Sequence, residues 1–210
     1  MDDTGRRAEI VDAAARLFER GGIEAITMRA VAQEAGVSLR LVQYYGSSKD
    51  ELLVAVLEQH SSTSLRRWKA RLSRRSAERS LPDVLRTFLR TALPTDSASR
   101  ALHRVGTSIE LLAITDGGAV AAAYERHLDE LADVLSGALT SAEPQLDAEH
   151  ARQLALEAMA MAHGMGTLLL LHRLGRQQAE ESIDRFAQNA ALSDEHGPRQ
   201  TDKSPRPLTS

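Results

Sequence analysis

Cysteine is absent from the 210-residue chain, which excludes structural disulfides and thiolate metal sites and suits a reducing compartment. Aromatic residues supply only 3% of the sequence, and no stretch alternates apolar and polar residues as a half-buried strand would. A strong charge of one sign is missing too. The formal net charge is −3, and over residues 1–60 Arg6, Arg7, Arg16, Arg20, Arg29, Arg40 and Lys49 are outnumbered by acids. Bulk charge therefore gives no argument for nucleic acid, and any such argument has to come from where single cations sit. The most apolar stretch, residues 154–174, is interrupted by Glu157, His163 and His172 and reads as a buried helix rather than a membrane span. The first residues open with acids and hold no apolar run before a small-residue cleavage site, so no secretory signal is expected and a cytoplasmic location follows by elimination. No Gly-x-Ser-x-Gly elbow, phosphate-binding glycine loop or HExxH helix occurs, and no two histidines lie three or four apart. Neither an enzyme, a metal nor a cofactor is expected.

The apolar residues that are present repeat at helical spacing. Ile10, Ala14, Leu17 and Phe18 share one face, and Met28, Val31, Ala32 and Ala35 share the next, which predicts an all-α chain. Breakers at Gly21-Gly22, Gly36, Gly46, Pro82, Pro94, Gly117-Gly118, Pro144 and Gly175 divide it into about nine helices. Three short helices precede residue 46, a long one spans about 48–75, and the longer ones follow. This spacing predicts a small head over residues 1–47 and a larger helical body over 48–192. The tail from Ser193 holds three of the six prolines and is expected to be disordered.

The densest local signal is two short helical segments, residues 27–35 and 38–45, separated by Gly36-Val37. Thr27 and Ser38 are good N-caps, leaving first-turn N–H groups free for phosphate oxygens. Gly36 allows a left-handed step, and Val37 can plug the apolar angle between the helices. A helix presented this way fits the major groove. Its outward set is Leu39, Arg40, Gln43 and Tyr44, with Val42 and Tyr45 turned inward. Directly behind it, Ser48-Lys49-Asp50-Glu51 follows the Ser-x-x-Glu capping pattern and puts Lys49 at the start of the long helix. Arg29 and Arg40 taken singly would be solvated charges; the surrounding motif makes them candidate DNA contacts.

Taken together, the series Ile10-Val11-Asp12-Ala13-Ala14, Leu17-Phe18, Gly22, Thr27-Met28-Arg29-Ala30-Val31-Ala32, Ala35-Gly36-Val37-Ser38, Tyr45 and Ser48-Lys49-Asp50-Glu51-Leu52-Leu53 resembles the head of the TetR family of bacterial regulators over about residues 7–58. The resemblance implies that Thr27, Tyr44 and Lys49 hold phosphates while Arg40, Leu41 and Gln43 face the groove. It also implies operator DNA and a second copy of the chain as partners, with a small-molecule effector of unspecified identity. Two departures stand out. Base preference does not carry over, because Arg40, Leu41 and Gln43 differ from the family's usual residues. The family's phenylalanine after Tyr45 is here Gly46, and Tyr45 or Leu52 is expected to fill the apolar space.

Beyond residue 60 the resemblance is one of architecture. The basic run Arg66 to Arg75 reads as the exposed face of the long helix, with Trp68 and Leu72 turned to the core. His103, Thr107 and Glu110 fall on one helical stripe; with Trp68, Tyr124, Met159 and His163 they make a candidate ligand pocket in which Glu110 pairs a ligand cation or donor. Satisfied core residues are the alternative for each. Leu168, Leu171, Ile183, Phe186 and Ala190 are candidates for a four-helix dimer interface, or else for burial within one subunit. The functional expectation is a DNA-binding regulator; a helical small-molecule-binding protein or enzyme without DNA binding is the alternative.

Overall fold

The computed structural model describes residues 3–73 and 79–194. Among them are nine α-helices and one 3-10 turn, Ile23–Ala25, with no strand. The helices are α1 (Asp3–Gly21), α2 (Met28–Ala35), α3 (Leu39–Tyr45), α4 (Lys49–Ser73), α5 (Leu81–Ala92), α6 (Ser97–Asp116), α7 (Gly118–Ala142), α8 (Ala148–Leu170) and α9 (Arg176–Asp194). The helical class and the order of three short helices before a long one are as the periodicity predicts. Caps explain why the helices start where they do. The side chains of Thr27, Ser38, Asp96 and Asp147 each accept a hydrogen bond from a backbone N–H in the first turn that follows, satisfying a group the helix itself leaves unpaired. The chain reverses between α6 and α7 at Gly117 and Gly118, whose φ angles of 68° and 70° suit glycine. Residues 195–210 of the expected disordered tail lie outside the described residues, as does the side chain of Leu72.

Two apolar cores hold the molecule together. One joins Trp68 of α4 to Leu85 and Leu89 of α5, Leu135 and Leu139 of α7, Leu154 and Ala158 of α8, and Ile183 of α9. The other joins Ile10, Ala14 and Phe18 of α1, Val31 of α2 and Val42 of α3 to Leu52, Leu53, Val56 and Leu57 of α4, Val105 and Ile109 of α6, and Val120 and Ala123 of α7. The sequence boundary at residue 47 is thus a change of element without a gap in packing, because the head rests on α4, α6 and α7. The α9 helix lies along α5, and Arg86 and Arg90 of α5 pair with Asp184 at 2.8 Å and Glu180 at 2.7 Å.

The candidate interface residues divide by burial. Ile183 is 0% exposed within one subunit, in line at four-residue spacing with buried Ala179 and Ala187. It belongs to the protomer's own core, and no partner can reach it: this corrects its place among the interface candidates. Phe186 and Ala190 are half-buried against the same core, whereas Leu168 and Leu171 are exposed. Among the described residues no helix is long and apolar enough to cross a membrane.

Candidate nucleic-acid interface and ligand cavity

The head is built to hold α3 rigidly. Thr27 Oγ1 accepts from the Ala30 N–H at 3.1 Å, and Ser38 Oγ accepts from the Leu41 N–H at 3.2 Å, which leaves both hydroxyl hydrogens free to donate. Between the two helices Gly36 takes φ 67°, and its N–H donates to the carbonyls at the end of α2, the left-handed helix ending that glycine favours. Val42, 0% exposed, anchors α3 from beneath. From α2, Glu34 accepts hydrogen bonds from Arg16 at 2.9 Å and from Arg20, tying α1 to α2. Those bonds, Arg20's ahead of Arg16's, pull the Glu34 carboxyl down to about 2.

On the outer side of α3, Arg40, Gln43 and Tyr44 are exposed, and Tyr44 is 73% so. The Tyr44 ring meets Tyr45 edge-on with centroids 4.9 Å apart. Arg29 is exposed on α2. Leu39 and Leu41 differ from that group: both are half-buried against the head core, so their aliphatic bodies serve packing as well as any contact outside. Lys49 opens α4 immediately after Ser48, whose Oγ accepts from the Glu51 N–H at 3.1 Å. Gly46 is covered by Leu52, since a Cβ at Gly46 would lie 2.5 Å from Leu52 Cδ2. Leucine thus fills the space in question.

In the body, α4, α5, α6, α7 and α8 line a partly open cavity of about 200 Å³. Its wall includes all seven candidate residues: Trp68 from α4, His103, Thr107 and Glu110 from α6, Tyr124 from α7, and Met159 and His163 from α8. His163 Nε2 lies 3.3 Å from a Glu110 carboxylate oxygen, an ion pair when the imidazole is protonated, and the His103 and His163 rings stack with centroids 6.1 Å apart. The close approach of α6 to α8 depends on Gly166, because a Cβ there would collide with the His103 ring.

Sequence reasoning missed His60 and Arg67 of α4, Phe88 of α5 and His127 of α7, which also line the cavity. The signal was available in part: His60, Ser64, Arg67 and Trp68 recur at helical spacing, and His127 follows Tyr124 by three. Burial disfavours the charged form of the inner imidazoles. It lowers His60 to about 4, with the neighbouring His127 and His103 adding to the effect. It also lowers His103, aided by His163, and His127, opposed by Glu130. The Tyr124 hydroxyl is pushed up to about 12 by burial and then by Glu110. Trp68 Nε1, His103 Nε2 and His127 Nδ1 are buried without a hydrogen-bond partner, an uncommon state for polar atoms.

The chain is thus a capped helix-turn-helix set on an all-helical body with a cavity between its helices. Residues 10–56 match the family described as bacterial regulatory proteins, tetR family. The chain is 36% identical over 99 residues to the transcriptional repressor KstR of Rhodococcus jostii, a stretch covering 46% of this chain and 47% of that protein. It thus spans about half the length of that curated relative. Among solved structures, a transcriptional regulator from a Rhodococcus species superposes with a TM-score of 0.73 at 20% identity, covering 89% of this chain and 96% of the other. The multidrug binding protein EbrR, complexed with imidazole, superposes at 0.64 with 26% identity, covering 86% and 94%.

Proposed function

We propose that this chain is a transcriptional repressor: α3 enters the major groove of operator DNA, and a small molecule in the body cavity controls DNA occupancy. The observation that carries this reading is the rigid presentation of α3, capped at Ser38 and anchored by Val42 while Arg40, Gln43 and Tyr44 stand free. Arg40 and Gln43 have the chemistry to read base edges, with Leu39 and Leu41 offering apolar contact at the groove wall. Thr27, Arg29, Ser38, Tyr44 and Lys49 offer donors to phosphate and set the register. Two copies join through the outer faces of α8 and α9, where Leu168 and Leu171 are exposed, and place their heads about 34–36 Å apart on a near-palindromic site. The protein acts in the cytoplasm, beside its DNA. The repressor name of the KstR relative supports obstruction of a promoter. The imidazole held by EbrR supports a small ligand in the body, which would act by binding one arrangement of the heads better than another. Selection of binding sites from random DNA duplexes tests this: an inverted repeat should be enriched. Recovery of no common sequence would leave a helical small-molecule-binding protein as the better description.

A further inference from the structure

The cavity has a direction. His60 of α4 faces Gly106 of α6, where an added Cβ would lie 3.4 Å from the His60 ring, and Asp96, its carboxyl lowered chiefly by the Ser99 hydrogen bonds, also feels the charge of Arg67. Going up α4 therefore means going down α6, so the two helices are antiparallel and Arg67 and Glu110 mark opposite ends. Seven residues on one helix and four on the other, at 1.5 Å each, separate them by about 16 Å along the axis. At the Glu110 end the carboxylate lies 3.3 Å from His163 Nε2.

The Arg67 end is different. Among the described residues Arg67 makes no hydrogen bond or ion pair, and Asp96 is committed to capping α6 by accepting the Ser99 N–H at 2.7 Å. The Trp68 ring, 2% exposed, forms part of the wall next to Arg67. Ser64, one turn earlier on the same wall, adds a hydroxyl. A guanidinium can only donate, so this end offers donors and a cation and asks for acceptor oxygens. The rest of the wall includes Phe88, Leu102, Leu128 and Leu131.

We propose that the cavity binds a small aliphatic monocarboxylate, its two oxygens held by Arg67 and Ser64 beside the Trp68 ring, with the chain lying along the leucines toward Glu110. This deepens the effector reading given above and rests on it. A planar guanidinium suits a carboxylate bidentately. The cavity of about 200 Å³, set against about 30 Å³ per water in the liquid, admits on the order of seven to ten non-hydrogen atoms, the size of hexanoate to octanoate.

Trp68 is the only tryptophan of the chain, so its emission reports occupancy directly. The full-length protein is titrated with octanoate, octan-1-ol and octylamine. Octanoate should bind at least tenfold tighter than the alcohol and the amine. Arg67→Gln should remove that advantage and Arg67→Lys should keep part of it, with unchanged far-ultraviolet circular dichroism in both. Octylamine binding as tightly as octanoate, no saturable response to octanoate, or an advantage that survives Arg67→Gln would overturn the assignment. Titrations of the protein free of DNA decide it without reference to the regulator reading. A tenfold preference for octanoate without any DNA affinity would keep the carboxylate site and remove only its role as effector.

Discussion

Gly46 shows how one residue can set the seating of a reading helix. Its φ of −139° is open to any residue, so its glycine is explained by space: Leu52, 1% exposed, occupies the volume a side chain would need. Gly46→Ala must push Leu52 into a packed core, which typically costs about 1–3 kcal/mol. Urea unfolding should register a loss of that size. An unchanged midpoint would mean that α3 does not lean on Leu52. The cavity histidines give a second test at this scale. Above pH 6.5 the His60 ring is neutral folded and unfolded. Between 6.5 and about 4 only the unfolded chain takes up the proton, so stability falls as pH falls, by at most about 1.4 kcal/mol per pH unit from this ring. Lowered His103 and His127 add in the same direction. Thermal unfolding at pH 7 and pH 5 should show a smaller drop for His60→Leu than for the unaltered chain; equal drops would contradict the buried, uncharged ring.

Among the elements, the head was legible because its signals are local. Caps, a left-handed glycine and a 3.6-residue apolar period all act within a few positions, and Thr27, Gly36 and Ser38 do in the structure what such residues do in any helix turn. The cavity was legible in part: His103, Thr107 and Glu110 share a face of α6, and Trp68, Tyr124, Met159 and His163 line the same wall, while His60, Arg67, Phe88 and His127 join it only through the packing of the helices. Arg67 read as part of a solvated basic face because its neighbours in the run are cations; only the tertiary position of α4 turns it inward. Ile183 was misplaced for a similar reason: apolar residues of α9 look alike in sequence, and the packing of α5 decides which face is already covered. The faces left uncovered carry Leu168, 44% exposed, and Leu171, 63% exposed. Leu168→Glu should therefore shift the chain toward monomer in sedimentation with little change in melting temperature. A dimer that persists would place the interface elsewhere.

For the whole molecule, the continuity of the second core matters most. The head packs on Val105 and Ile109 of α6 and on Val120 of α7, the helices that also form the cavity wall. The Gln59 side chain of α4, one residue before His60, donates to Asp12 of α1. Occupancy of the cavity and orientation of the head are therefore carried by the same helices, a physical route for coupling two sites. All of this presumes that α3 reads bases while Lys49 holds the backbone. The most direct test measures affinity on a selected inverted repeat and on the same duplex with each base pair changed in turn, for the unaltered chain, Gln43→Ala and Lys49→Ala. Gln43→Ala should lose discrimination, by about 1–3 kcal/mol, at the same position in both half-sites. Lys49→Ala should weaken every duplex alike, with a salt slope shallower by about one. A uniform loss from Gln43→Ala, with discrimination intact at every position, would contradict the placement of α3 in the groove.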